Sequence, residues 1–352
     1  MAIKSSGNPN PPLAFSEIES EFGSNNSRSL GDYRISQSVG GLSGLALDSD
    51  NNFNPLIPKS GQIKFSDFYG TRLNVVVDFH SGGQESRQNA KSRYNNNSVT
   101  VIGGFRGKKQ AGSKILIHVN KTIGSAKGNK NKVALRTGTW NSDVVLTVDV
   151  GSSGRLLGAG GNGGKGSDSW SDAGSSNAGS GGDGTSALGI EHEETLVRIQ
   201  GGGSIRCGYG GGGGGSGARQ KDSGADRSAC GGGGGGGAGL PAGDAGEAGL
   251  RQSGGEDEVA SGNDGGNATT FENGEGGGGG NNDDEAFGGN GGRGGDASES
   301  AQGGGGGSPS DGSASGNAGA DGGAIRAATG SISFEIINSS GVIGSTSGTG
   351  VA

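Results

Sequence analysis

The sequence predicts a mainly β and irregular protein in three parts. A small N-terminal helical docking module (1–71) precedes a short β-sheet or sandwich domain (72–150). A glycine-rich repeat domain (151–352) follows, expected as a bundle of polyglycine-II-type rods with interspersed short strands and variable loops. Three observations predict this. Of the 86 glycines, 17 lie in residues 1–150 and 69 in residues 151–352. Apolar and β-branched residues alternate at period two within 72–150. Beyond 150, near-pure glycine runs recur between polar segments, which is a repeat pattern.

The N-terminal module rests on a small internal repeat. "LAFSEIESEFG" (13–23) and "IKFSDFYG" (63–70) share Phe-Ser-acid-apolar and end in an aromatic followed by glycine. Ser16 and Glu19 have capping-box spacing, so a short helix is expected from Ser16, with Ile18 and Phe22 on one face. Ser66 is expected to cap a shorter turn bearing Phe68 and Tyr69. Two short aromatic-bearing helices bury little core alone. They either dock on another surface, through Phe15, Ile18, Phe22, Phe65, Phe68 and Tyr69, or cap the next domain.

In the β region, Leu73, Val75, Val77 and Phe79 alternate with other residues, as do Ile115, Ile117 and Val119. "VVLTVDV" (144–150) and "SVTVIGGF" (98–105) complete four candidate strands, separated by turn-forming runs such as "YNNNS" and "KGNKNK". Short strands without a long helix suggest a compact sandwich or sheet. A fainter repeat continues beyond it. "VDVGSSGRLLG" (148–158), "VRIQGGGSIRCG" (197–208) and "EIINSSGVIG" (335–344) each place Val148, Val197 or Glu335 six residues before Gly154, Gly203 or Gly341. These read as strands that deliver the chain into glycine segments.

The glycine runs lie at 158–166, 179–184, 208–217, 230–239, 274–280, 288–295 and 303–307. Collagen is excluded, because it requires strict Gly-X-Y and abundant proline, and this chain has seven prolines. The remaining ordered option is the three-residue-per-turn polyproline-II conformation, with no hydrogen bonds inside a rod. Rods lying side by side can satisfy one another's backbone groups. Close approach forbids a Cβ at inward positions, so an interior rod must be nearly all glycine, while an edge rod carries side chains on its outer third. The seven glycines 231–237 therefore suit an interior rod and "GDAGEAG" (243–249) an edge rod. Leu240-Pro241 marks the turn between them.

Charge divides where glycine does, at +7 for residues 1–150 and −14 for the remainder. The acidic glycine-rich half argues against nucleic acid as a partner. No apolar run reaches the ~18 residues of a membrane span, so no membrane insertion is expected. The first fifteen residues lack a signal-peptide hydrophobic region.

The alternation of glycine runs with variable polar loops, over roughly 151–330, resembles the tip adhesins of T-even-type bacteriophage long tail fibres. "FSEIESEFG" with "SGQIKFSDFYG" resembles an N-terminal segment of virion structural proteins from marine, often cyanobacterial, phages. These resemblances imply a virion protein assembled in the host cytoplasm. Its N-terminal module would join other tail or fibre proteins, and its rod-end loops would bind a host surface polysaccharide or outer-membrane protein. The alternative is a non-adhesive minor tail or capsid decoration protein with a rigid glycine spacer. Loop candidates for receptor contact are Trp170, Asp172, Arg219, Lys221, Phe271, Asn282 and Phe287. Aromatics beside amides and acids suit sugar stacking and interface anchoring.

No catalytic constellation emerges, and an enzyme is not expected. Acid clusters at 191–194, 256–258 and 283–285 lack positioned partners, and His80, His118 and His192 lie far apart. "DSDNN" (48–52) and "GNDGGN" (262–267) lack the ordered ligand series of a calcium loop. No metal or cofactor is expected. Cys207 and Cys230 each introduce a glycine run. If those rods are neighbours, the cysteines come together, and a disulfide would close a loop worth roughly 3 kcal/mol. A reducing cytoplasm opposes it.

Overall fold

The computed structural model describes residues 12–22, 29–30, 61–70, 75–79, 84–95, 114–170, 174–221, 226–252, 259–282, 285–309 and 313–352, with only the backbone of Glu21, Phe22, Val75, Val76, Tyr94, Asn95, Trp170, Lys221, Asp226 and Gln252. Leu73, His80, Asp172 and the expected strand at 98–105 lie outside it.

Three five-stranded sheets, parallel throughout, organise the chain. The first face stacks Val75–Phe79, Lys114–Val119, Val145–Val150, Thr195–Ile199 and Phe334–Ile337. The second stacks Glu85–Ser86, Thr122–Gly124, Arg155–Leu157, Ser204–Arg206 and Val342–Ile343. The third stacks Gln88–Asn89, Val133–Arg136, Ser186–Ile190, Ile325–Ala327 and Gly348–Thr349. Five times in succession the chain visits the first, second and third faces in that order. It is a three-faced parallel β-helix, and the expected sandwich is corrected to that. Each coil supplies the crossover that parallel pairing requires. The sheets run through residue 150, so the strands expected in two domains share one core.

The period-two pattern dictates that core. Inward residues stack in register from coil to coil, as in Ile117–Val148–Val197–Ile336, Ile123–Leu156–Ile205–Val342 and Leu135–Leu188–Ile325. Most are fully buried, and each buried aliphatic side chain contributes about 1.5–3 kcal/mol. The faint repeat marks the corner between first and second faces in coils three to five. Val148 and Val197 are indeed partners, but the third partner is Ile336 rather than Glu335.

Outward positions on the first face carry a buried polar ladder. Asp78, His118, Asp149 and Arg198 are register partners on four successive strands. His118 Nδ1 lies 3.1 Å from Asp78 Oδ1, and Asp149 accepts from Arg198 Nε at 2.6 Å and Gln200 Nε2 at 2.9 Å. The fully buried Asp149 carboxylate is thus matched by donors, as burial of charge demands.

The N-terminal module belongs to the same core. A helix spans Phe15–Phe22 and a 3-10 turn Phe65–Phe68. The helix begins one residue before Ser16, and neither serine caps. Instead the acid of each repeat accepts a backbone N–H three residues back: Ala14 N–H to Glu17 at 2.8 Å and Lys64 N–H to Asp67 at 2.7 Å. Ile18 and Phe68 are fully buried in the β-helix core, with Leu13, Phe15, Leu30 and Ile63 packed against it. The module therefore covers the core.

Two insertions leave the β-helix where the second face would turn to the third, at 158–185 in coil three and 207–324 in coil four. They build a slab of ten extended segments that alternate outward and inward: rods 1 (158–168), 2 (176–185), 3 (207–217), 4 (230–239), 5 (242–250), 6 (260–268), 7 (273–280), 8 (288–296), 9 (302–307) and 10 (313–323). Hydrogen bonds run between rods and recur every third residue. Gly161, Gly164 and Ser167 donate to Tyr209, Gly212 and Gly215, and Gly231, Gly234 and Gly237 donate back to Ser167, Gly164 and Gly161. These contacts define rows of three, four and three: rods 2-1-5, 10-3-4-6 and 9-8-7.

Neighbour number dictates composition. Rods 3 and 4 each bond to six others, and their central stretches 210–215 and 231–237 are pure glycine. A Cβ on Gly234 would lie 2.1 Å from Gly212 O. Rods 1 and 8 touch four neighbours and keep glycine at two positions in three, leaving Asn162 and Lys165, or Asn290 and Arg293, to point out. Rod 5 touches three neighbours and buries only Gly243, Gly246 and Gly249, with Asp244, Glu247 and Leu250 exposed. Several remaining amides of the outer rods bond side-chain oxygens. Ala314 and Ala320 of rod 10 donate to Asn177 and Asp183 of rod 2, both at 2.9 Å. Ala245 and Ala248 of rod 5 donate to Asn267 and Asp264 of rod 6.

Candidate functional site

The two ends of the slab differ. At the near end, Leu240-Pro241 makes the expected turn between rods 4 and 5, and Leu240 O accepts the Ser125 N–H of the β-helix at 3.0 Å. The near end is thereby fixed to the coils. At the far end the outward rods turn back through longer segments that carry short strands.

Strand Ser169–Trp170 pairs with Gly174–Ser175 and with Arg251–Gln252. Hairpin Ala218–Lys221/Asp226–Ala229 adds Val259–Ala260 in parallel. Asn281–Asn282 pairs with Ala286–Phe287, and Phe287 exchanges backbone bonds with Ser308 at 2.7 and 2.8 Å. Ala218, Ala229 and Ala286 pack behind these strands as a small buried cluster. Methyl-sized side chains let the strands emerge at nearly the spacing of the rods. Ser169 Oγ donates to Ala229 O at 2.9 Å, tying rod 1's turn to rod 4. Arg227 and Glu285 form an ion pair between two hairpins. The far end is thus a braced platform on which every outward–inward reversal of the slab converges.

The structure sorts the expected contact residues. Trp170, Arg219, Lys221, Asn282 and Phe287 all sit on the far-end strands. Phe287 is 40% exposed, whereas Asn282 is buried and its amide donates to Ser228 O at 3.4 Å. Asn282 is a brace, which corrects its assignment to contact. Phe271 is 46% exposed but stands apart from the far-end group. It lies at the near end, beside the second face of the β-helix, with the Arg206 and Arg155 guanidinium groups 4.9 and 5.9 Å from its ring centre.

Sequence reasoning missed Leu250 and Arg251. Leu250 is 56% exposed at the far end of rod 5, its N–H held by Asp168 Oδ1 at 2.6 Å. The period carried a signal: 244, 247 and 250 point outward, and an apolar residue follows two acids in that series.

The attachment candidates also divide. Ile18 and Phe68 are fully buried and unavailable to a partner. Phe65 is 40% exposed and meets Phe15 edge-on, with ring centres 6.1 Å apart. Tyr69 is half-buried.

Cys207 and Cys230 are free and buried. Rods 3 and 4 are neighbours, but they run antiparallel: Tyr209, Gly212 and Gly215 face Ala238, Gly235 and Gly232. That register puts Cys207 level with Leu240, ten residues along rod 4 from Cys230. At about 3.1 Å per residue the separation is roughly 30 Å, far beyond the ~7 Å limit for a disulfide. Burial pushes the Cys207 thiol up to about 11 and raises Cys230.

No family model and no curated protein matches the chain. Among solved structures, the gp37-gp38 adhesin tip complex of the bacteriophage S16 long tail fibre is similar, at 19% identity and a TM-score of 0.39, over 95% of this chain and 98% of that chain.

Proposed function

We propose that this chain is a receptor-binding adhesin of a phage tail fibre, whose slab is a polyglycine-II sandwich presenting the far-end loops to the host surface. One observation carries the reading. All five outward–inward reversals of the slab lie at the end away from the β-helix, on a scaffold braced by interlocking backbone hydrogen bonds. Rigid scaffolds with loops gathered at one end are built for recognition. The three-residue hydrogen-bond period and the glycine-only interior support the polyglycine-II conformation. Exposed Phe287 and Leu250 supply apolar anchors. Phe15 and Phe65, on the N-terminal module over the β-helix core, are the attachment surface for a tail or fibre protein.

The test is adsorption. Purified protein should bind the cells on which the phage grows and compete with phage attachment. Phe287→Ala with Leu250→Ser should weaken binding tenfold or more at unchanged melting temperature. Absence of cell binding by the folded protein would favour the spacer reading instead.

A further inference from the structure

The broad lower face of the slab, away from the tip, holds a groove of about 300 Å³ lined by Glu275, Asn290, Arg293 and Gln302 and by the backbone of Gly276, Gly278 and Gly291. The geometry points to this groove as a second binding site, for a hydroxyl-rich glycan chain lying along rods 7, 8 and 9.

The lining is the first reason. Every side chain in the groove hydrogen-bonds and none is apolar. Amides offer donors and acceptors together, Glu275 accepts and Arg293 donates, which matches hydroxyls that do both. The groove has little attraction for an anion, because the Arg293 guanidinium is already paired with Glu299 and Glu275 adds negative charge.

The second reason is glycine that the fold does not need. In the interior a Cβ would strike a neighbouring carbonyl near 2 Å. At Gly306 it would meet nothing within 4 Å, and at Gly303 and Gly305 nothing nearer than 3.3 and 3.4 Å. At Gly278 the nearest atom is the end of the flexible Asn263 side chain, at 3.3 Å. Rod conformation does not demand glycine there either, since rods 5 and 10 carry Asp, Glu, Asn and Ala at equivalent outward positions. Each unneeded glycine costs chain entropy that alanine would spare. The amides of Gly276, Gly278, Gly303 and Gly306 find no acceptor among the described residues. Of these, Gly276 and Gly278 line the groove, where bare backbone lets a sugar ring approach to hydrogen-bonding distance of main-chain N–H groups.

The full-length chain would be probed on an immobilised array of bacterial capsular and lipopolysaccharide glycans, and the strongest glycan titrated calorimetrically. The expected result is a glycan whose affinity falls at least tenfold in Gly278→Gln and in Glu275→Ala/Gln302→Ala. Melting temperatures should stay within 2 °C of the parent, and Phe287→Ala should bind normally. That pattern would hold even if the tip bound no receptor, so the two sites are separable. The proposal is overturned if no array glycan binds, if the groove variants bind as the parent does, or if only Phe287→Ala loses binding. Capture of an extended polyproline decamer in place of every glycan, with the same variant sensitivity, would overturn the saccharide class.

Discussion

Gly234→Ala adds one methyl group at the centre of rod 4. Its Cβ would lie 2.1 Å from Gly212 O, 2.6 Å from Gly212 C and 3.0 Å from Gly164 N, all backbone of two different rods. Restoring a contact of about 3.5 Å requires rods 3 and 4 to part by roughly 1.4 Å. Three bonds join those rods, at 2.9, 2.8 and 2.8 Å, and all would pass beyond hydrogen-bond range. At about 0.5–1.5 kcal/mol each, with a share of overpacking strain, the loss is about 3–5 kcal/mol. That is a large fraction of a typical stability of about 5–15 kcal/mol. Ala245 stands on the outer side of rod 5, half-buried, and Ala245→Ser should change stability by less than about 0.5 kcal/mol. Thermal unfolding by calorimetry discriminates the two. Gly234→Ala should melt roughly 4–7 °C below the parent, and Ala245→Ser should match the parent. Equal melting of the two variants would refute the packed-rod account and restore a loose linker.

Other outcomes follow from the same contacts. Asp149→Ala leaves Arg198 without its carboxylate inside the polar ladder and should lower stability by about 3–5 kcal/mol, read as a shift in urea midpoint at constant slope. Ile18→Ala should cost about 2–5 kcal/mol by emptying a fully buried position of the β-helix core, while Phe65→Ala, at a 40% exposed site, should cost much less. Thiol titration should find no reactive cysteine in the folded protein and two after unfolding. Because Cys207 rises from 9.0 to about 11 on folding, its contribution to stability is full below pH 9 and declines as pH climbs toward 11. Cys207→Ser should flatten that limb of a stability–pH curve.

The glycine slab was largely legible, because its packing rule acts residue by residue. Pure glycine at 231–237 and one glycine in three at 243–249 state directly how many neighbours each rod has. The β-helix was not legible in the same way. Its strands alternate like any others, and insertions push the third-face strands of coils three and four far from the corners that precede them. The faint repeat at 148, 197 and 335 held the clue, but it was read as a set of rod entrances; coil five enters no rod. The capping acids Glu17 and Asp67 were masked by serines that fit a familiar spacing. The cysteine pairing failed on direction alone, because sequence shows which rods are interior and is silent on which way each runs. Asn282 failed for a related reason. A polar loop residue near a rod end can face the platform or solvent, and sequence does not say which.

The β-helix also explains how rods without side chains find their register. Arg155–Leu157 and Ser204–Arg206 are neighbours on the second face, and they continue directly into rods 1 and 3, which lie side by side. The Gly158 N–H bonds Arg206 O at 2.9 Å, so the ladder passes from sheet to rod without a break. Rods 2 and 10 return likewise to Ser186–Ile190 and Ile325–Ala327, neighbours on the third face. Two of the slab's contacts are thus set by strands with a hydrophobic core, which offsets part of the ordering entropy of about 1–2 kcal/mol per residue. Replacing 158–185 with the coil-two corner 125–132 isolates this effect. The corner already joins Thr122–Gly124 to Val133–Arg136, so the coils should persist. Rod 3 would lose two of six neighbours and rod 4 one. Amide exchange within 208–217 and 230–239 should accelerate by orders of magnitude while Leu146, Val148 and Val197 stay protected. Unchanged protection of those two rods would mean that rods 1 and 2, the segments anchored directly to the coils, are not needed to hold the slab's interior.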